Sequence, residues 1–172
     1  MKISIREMKM HDIGLVVDYF INADADYLRG MGADKDKLPG KTVWIENLKN
    51  ELEKPISNKE YHYLIWLLDD LPIGHSNINK IVYGKFANMH LHMWTSHIRG
   101  KGLGLRFVEL SIPYYFKKFK LEKLICEPYT ENIGPNRLLK KAGFSFIKEY
   151  YTTPGIINFY QSVNRYELKR IS

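Results

Sequence analysis

The sequence is poor in several features that would decide a fold or a partner outright. Cys126 is the single cysteine in 172 residues, so no intrachain disulfide can form and a cytoplasmic setting is expected. No apolar run is long enough to span a bilayer. Charges interrupt the opening MKISIREMKMHDIG throughout, which leaves no signal-peptide core. Repeats, low-complexity segments and linkers are also lacking, so one domain over residues 1–172 is expected. The net charge of +7 is spread over small clusters such as Lys117-Lys118, Lys140-Lys141 and Lys169-Arg170. None reaches the length of a nucleic-acid-binding tail, so neither nucleic acid nor membrane is an expected partner.

What is present reads as a layered α+β protein. Residues 2–6 alternate like a short strand, and Asp12 is placed to cap a helix carrying Ile13, Val16, Val17, Phe20 and Ile21. A loop rich in Asp, Gly and Lys follows. Trp44, Leu48 and Leu52 then recur at helical spacing, with Pro55 closing that helix. Three strands are expected over 61–68, 72–84 and 86–94. In the last, Ala87, Met89, Leu91 and Met93 alternate with Phe86, Asn88, His90, His92 and Trp94. A helix with a late kink at Pro113, a strand over 122–127, a helix led by Pro135 and stopped by Gly143, and a closing antiparallel pair complete the chain. The tally is an α/β/α layered, mixed but mostly antiparallel sheet of six to seven strands with helices on both faces.

The most informative stretch is Arg99-Gly100-Lys101-Gly102-Leu103-Gly104, between a strand and a helix. Backbone N–H groups at such a junction, backed by the helix N-terminus, make an anion site that glycine lets a phosphate approach. The Walker pattern fails because Leu105, not Lys followed by Ser or Thr, comes after Gly104. The dinucleotide fingerprint fails on glycine spacing.

Arg-x-x-Gly-x-Gly resembles the pyrophosphate loop of the GCN5-related N-acetyltransferases (GNAT). The segment 127–144, EPYTENIGPNRLLKKAGF, resembles that family's second signature: an Asn, a short helix, then Lys-x-Gly-Phe before a strand. Two signatures in order, on matching elements, are far more specific than either alone. The resemblance extends over the whole chain, and CEPYTEN is similar to a segment of aminoglycoside 6′-N-acetyltransferases. It implies the GNAT acyl-CoA N-acyltransferase fold and acetyl-CoA as cofactor, bound where two parallel strands splay. The pantetheine arm would pair near Met93 and Trp94, and the pyrophosphate would meet the N–H groups of Arg99, Gly100, Lys101, Gly102, Leu103 and Gly104. Asn132 would reach the pantetheine, with Asn136 and Lys141 as further contacts.

The implied reaction is acetyl transfer to a primary amine by direct attack on the thioester, which needs a base and a proton donor. At the position where many members carry the donor Tyr stands Leu139. Tyr129, Tyr150, Tyr151 or water are the substitutes. Glu127 is the leading base, with a relay from His90 or His92 competing. His90 and His92 lack a third ligand of convincing spacing, and His97 sits on a loop, so no metal is expected. Asp24 and Asp26, with Asp34 and Asp36, concentrate acid in the loop after the first helix, which together with Glu127 points to a small cationic amine as acceptor. Protein or peptide N-terminal acetylation and a non-catalytic acyl-CoA-binding module are the alternatives. The assembly is expected to be a monomer or a homodimer.

Overall fold

The computed structural model describes residues 1–96 and 100–171. Arg99 and His97 therefore lie outside the described residues. In chain order the elements are β1 (Ile3–Glu7), α1 (Ile13–Ile21), α2 (Ala25–Gly30), α3 (Lys41–Glu53), β2 (Tyr61–Leu68), β3 (Leu71–Val82) and β4 (Phe86–Met93). After them come α4 (Leu103–Lys118), β5 (Lys123–Cys126), α5 (Ile133–Lys141), β6 (Ser145–Thr152) and β7 (Gln161–Lys169). Seven strands form one sheet in the order β1-β2-β3-β4-β5-β7-β6. Each neighbouring pair is antiparallel except β4 with β5.

Period-two alternation decides what each face of the sheet carries. On one face Leu64, Trp66, Ile78, Ala87, Met89, Leu124 and Cys126 pack with Leu103, Phe107, Val108, Tyr115 and Phe116 of α4 and with Leu139 of α5. The Trp66 indole stacks on Phe107 with centroids 5.1 Å apart. Its Nε1–H donates to Ser111 Oγ at 3.2 Å, and Ser76 Oγ lies 2.9 Å from Tyr115 Oη, so the polar atoms in this layer are bonded to one another. On the other face α1 and α3 bring Val16, Val17 and Leu48 against Tyr63, Ile65 and Leu67. The alternation of β4, the helix carrying Trp44, Leu48 and Leu52 that ends before Pro55, and the closing antiparallel pair agree with the sequence pattern.

Two details differ from it, and a third fits it. Asp12 does not cap α1 with its side chain. It is fully buried and takes Arg6 Nη1 at 2.5 Å, Arg6 Nη2 at 2.9 Å and the Lys9 N–H at 2.8 Å. Burial alone would raise this carboxyl, but these donors outweigh it and hold the carboxyl below its ordinary value. The Asp- and Gly-rich loop contains the short helix α2, in which Leu28 is fully buried and supplies the anchor. Helix α4 continues past Pro113 to Lys118, because Ser111, Tyr115 and Phe116 on either side are all buried against the sheet.

Candidate active site

Strands β4 and β5 stay paired over only three positions, Phe86 with Lys123, Ala87 with Leu124 and Asn88 with Ile125. Beyond these the strands part. A cavity of about 810 Å³ occupies the gap, lined there by Met89, Cys126, Leu139 and Asn132. It continues onto the α1/α3 face, where Phe20, Trp44, Tyr63, Asn77, His90 and His92 form its wall. The alternation that gives Met89 and Leu91 to the α4 core is what turns His90 and His92 into this cavity.

The histidines are neutral groups here. His90 Nε2 lies 3.0 Å from Asn79 Oδ1, and the His92 ring stacks on His75 with centroids 4.7 Å apart. Burial lowers His90 to about 4, with the Lys80 charge adding to it, and lowers His92 to about 3, with His90 adding to it. His75 Nδ1 accepts from Trp94 Nε1–H at 2.8 Å, so its proton resides on Nε2. Neither His75 Nε2 nor His92 Nδ1 has a hydrogen-bond partner among the described residues, although both atoms are buried. No cluster of three metal-ligating side chains exists among the described residues.

Glu127 follows directly on β5, at the point where the strands diverge, and its side chain is only 8% exposed. Its Oε1 accepts from Arg165 Nη1 at 3.0 Å and from the Tyr150 hydroxyl. Arg165 spans to Glu167 as well, donating to it through Nε at 2.9 Å and Nη2 at 2.8 Å. Burial first, and the bond to Glu127 second, raise the Tyr150 phenol, which keeps it a hydroxyl donor at neutral pH. Both bonds fall on Oε1, so Oε2 has no hydrogen bond among the described residues.

On the opposite side of the splay, the chain enters α4 through Gly100 and Gly102, both at φ 76°. That left-handed backbone is where glycine is favoured. Gly102 is the N-cap residue of α4, and no side chain caps the helix. The first N–H groups of this 16-residue helix therefore face outward beside the exposed Lys101, as an anion site requires. Gly104 has a different reason: a Cβ there would come within 3.0 Å of Leu138 Cδ1 on α5.

The expected site residues thus divide. Glu127, His92, Tyr129 and Asn132 all line the cavity, and Gly100 to Gly104 form the entry to α4. Tyr129 packs edge-on against Phe159 at 5.6 Å, and burial, followed by the nearby Glu131 carboxylate, raises its phenol. Met93 and Trp94 are outside the cavity lining; the Trp94 N–H donates to Ile73 O at 2.9 Å. The five residues of β4 that do line it are Phe86, Met89, His90, Leu91 and His92. Asn136 is buried and fully engaged, donating to Tyr129 O and Asn132 O and accepting from Asn164 Nδ2. It fixes the turn that presents Asn132. Lys141 is exposed in the last turn of α5. Asp24 and Asp26 are exposed at the start of α2 and do not reach the cavity; Met31 and Ala33, after the helix, do so instead.

The roof of the cavity was not visible in the sequence. Gln161 Nε2 and Asn158 Nδ2 both donate to Gly32 O, at 2.6 and 2.8 Å, and Asp34 N–H donates to Ile157 O at 2.8 Å. These bonds tie the loop after α2 to the β6–β7 connection, and they bring Gly155, Ile156 and Ile157 over the opening. The partners are 129 residues apart in the case of Gln161 and Gly32, a separation at which no local pattern signals contact.

A parallel pair that splays beside an uncapped, glycine-led helix is the architecture of the GNAT acetyltransferases. Residues 2–145 match the acetyltransferase (GNAT) domain model, and the chain belongs to that family. Among curated proteins it is 30% identical over 109 residues to the probable N-acetyltransferase YjcK of Bacillus subtilis (strain 168). That match covers 62% of this chain and 59% of the relative, so the chain spans less than two thirds of that relative's length. Among solved structures, spermidine N-acetyltransferase from Vibrio cholerae, in complex with CoA and spermine, superposes with a TM-score of 0.79 at 15% identity, covering 97% of this chain and 95% of that one. The aminoglycoside acetyltransferase AAC(6')-Ib with coenzyme A gives 0.72 at 16% identity, over 98% and 95%. The ribosomal-protein alpha-N-acetyltransferase RimL with coenzyme A gives 0.79 at 10% identity, over 98% and 94%. At these identities the likeness is one of fold.

Proposed function

We propose that the protein is an acetyl-CoA-dependent N-acetyltransferase acting on the primary amine of a small molecule. The observations that carry this reading are the cavity in the β4–β5 splay, lined by Glu127, Asn132 and Leu139, and the uncapped, glycine-led start of α4. The residues fit the cofactor: left-handed glycines without Cβ atoms and outward N–H groups suit a pyrophosphate, and the gap between the strands suits an extended arm. Bound there, acetyl-CoA would supply an acetyl thioester, whose C–S bond breaks as the N–C bond to the amine forms.

The chain's own part is to orient the amine and move protons. Glu127 Oε2 is the oxygen available to hold the incoming ammonium and take its proton, directly or through water, while Arg165 and Tyr150 fix the carboxylate through Oε1. The amine gives up two protons in all, and the departing thiolate takes one, leaving one for solvent. Leu139, 1% exposed, can supply no proton. Tyr129 is the hydroxyl-bearing side chain on the stretch leading out of the splay and is assigned that donation. The roof over the opening favours a small acceptor over a protein terminus, which needs an open groove. Amine-dependent release of free thiol from acetyl-CoA tests the reading, and its loss in Glu127→Gln tests the assignment of the base.

A further inference from the structure

The charges around the cavity say what kind of amine fits it. Among its described lining residues only Glu60, Lys80 and Glu127 carry formal charge. Each acid already has its cation: Glu60 Oε1 lies 3.0 Å from Lys54 Nζ, and Glu127 Oε1 lies 3.0 Å from Arg165 Nη1. Lys80 Nζ is held at the rim by Pro154 O at 2.7 Å and adds a positive charge there. A polyamine or aminoglycoside brings several ammonium groups, and each one taken out of water needs a partner. The carboxylate oxygen left without a hydrogen bond among the described residues is Glu127 Oε2. The rest of the lining is neutral: Phe20, Trp44, Tyr63 and the uncharged His90 and His92 form an aromatic wall, beside amides such as Asn77, Asn79 and Gln161. Phe20 and Trp44 are already in ring contact, with centroids 5.2 Å apart, and Phe20 meets His92 at 5.0 Å. Such a wall buries a planar apolar body well and a hydrated polycation poorly.

We infer that the acceptor is a monoamine with an apolar, planar body, its amine directed to Glu127 and its body set against Phe20, Trp44 and Tyr63. This rests on the acetyl-transfer reading and narrows it. The four acids of the α2 loop play no part, since none of them lines the cavity.

The test uses the full chain and separates the two claims. In one arm, tryptamine, 2-phenylethylamine, spermidine, kanamycin and a short peptide with a free N-terminus are compared by amine-dependent thiol release. In the other, the same amines are titrated calorimetrically into the protein saturated with CoA, a readout that needs no turnover. The expected result is a kcat/KM for an arylalkylamine at least tenfold above that for spermidine or kanamycin, with matching order in affinity. Replacing Ile156, a cavity-lining residue that is 78% exposed, by Glu adds an unpaired acid without touching the core. It should raise the spermidine rate relative to tryptamine at least threefold. Tight arylalkylamine binding without any turnover would overturn the acetyl-transfer reading, and with it the role of acceptor, while upholding the class of amine the cavity takes. A preference for spermidine, kanamycin or the peptide, in rate or in affinity, would overturn this one and leave acetyl transfer standing. Absence of arylalkylamine binding at millimolar concentration would also overturn it.

Discussion

Ser76 and Asn77 are neighbours in β3, yet they belong to regions with opposite properties. Ser76 faces α4, in a layer where Trp66, Ser111 and Tyr115 bond one another and large side chains are fully buried. Asn77 faces α1 and α3, where the sheet carries asparagines and histidines and encloses a cavity. Two buried nitrogens on that face, His75 Nε2 and His92 Nδ1, have no hydrogen-bond partner among the described residues. A well-packed layer satisfies its polar atoms because each orphan costs free energy. The cavity face tolerates them. One sheet thus separates its duties by strand parity, with stability on the α4 side and chemistry on the other.

The contrast can be broken most forcefully on the packed side. Trp66→Ala removes a fully buried ring stacked on Phe107 together with its hydrogen bond to Ser111 Oγ, so it should cost about 3–5 kcal/mol in denaturant unfolding. A loss under about 1 kcal/mol would mean the layer is not packed as described.

Acid should act through the histidines. His62 is lowered to about 4 by burial, despite the nearby Glu7 charge, and His90 and His92 to about 4 and about 3. The unfolded chain, with histidines near 6.5, then binds more protons than the folded one, so stability is full above about pH 6.5 and falls as the pH drops toward 4. His62→Gln should flatten that fall by up to about 3 kcal/mol, measured as unfolding free energy against pH. A profile that is level between pH 6.5 and 4 would contradict the buried neutral state.

On the cavity side the larger effect should be on rate. Glu127→Gln should lower kcat/KM for the amine about a hundredfold at pH 7.5. It should leave CoA affinity within about twofold, because the glycine entry to α4 lies on separate elements. Smallest of all is the expected stability change in His92→Leu, within about 1 kcal/mol, since it removes an orphaned nitrogen at the cost of one ring stack. A loss as large as that of Trp66→Ala would erase the distinction between the faces.

Much of this arrangement was legible in the sequence because it is local. The alternation in 86–94 assigned Met89 and Leu91 to one face and His90 and His92 to the other, and the glycine spacing drew attention to the entry to α4. Glu127, Tyr129 and Asn132 were singled out within the segment that resembles the family's second signature, and all three line the cavity. Longer-range features were not legible. Arg165 and Tyr150, which fix Glu127, come from the far end of the chain, and so do the bonds that tie the roof to Gly32. The acids of the α2 loop were legible as charge, but not their place outside the cavity lining, because a loop's composition does not tell which side chains point inward. Asp12 misled in the same way: it looked like a helix cap, and a strand partner, Arg6, took it instead.

Hydrogen–deuterium exchange with and without saturating CoA tests the division of the sheet most directly. Protection is expected in the amides of the α4 entry, residues 102–106, and along 89–92 and 127–132, with β1 and the Trp66 layer unchanged. Protection confined to β1 and β2, or none at all with CoA bound, would contradict the assignment of the splayed strands and the glycine-led helix as the place where the cofactor is held.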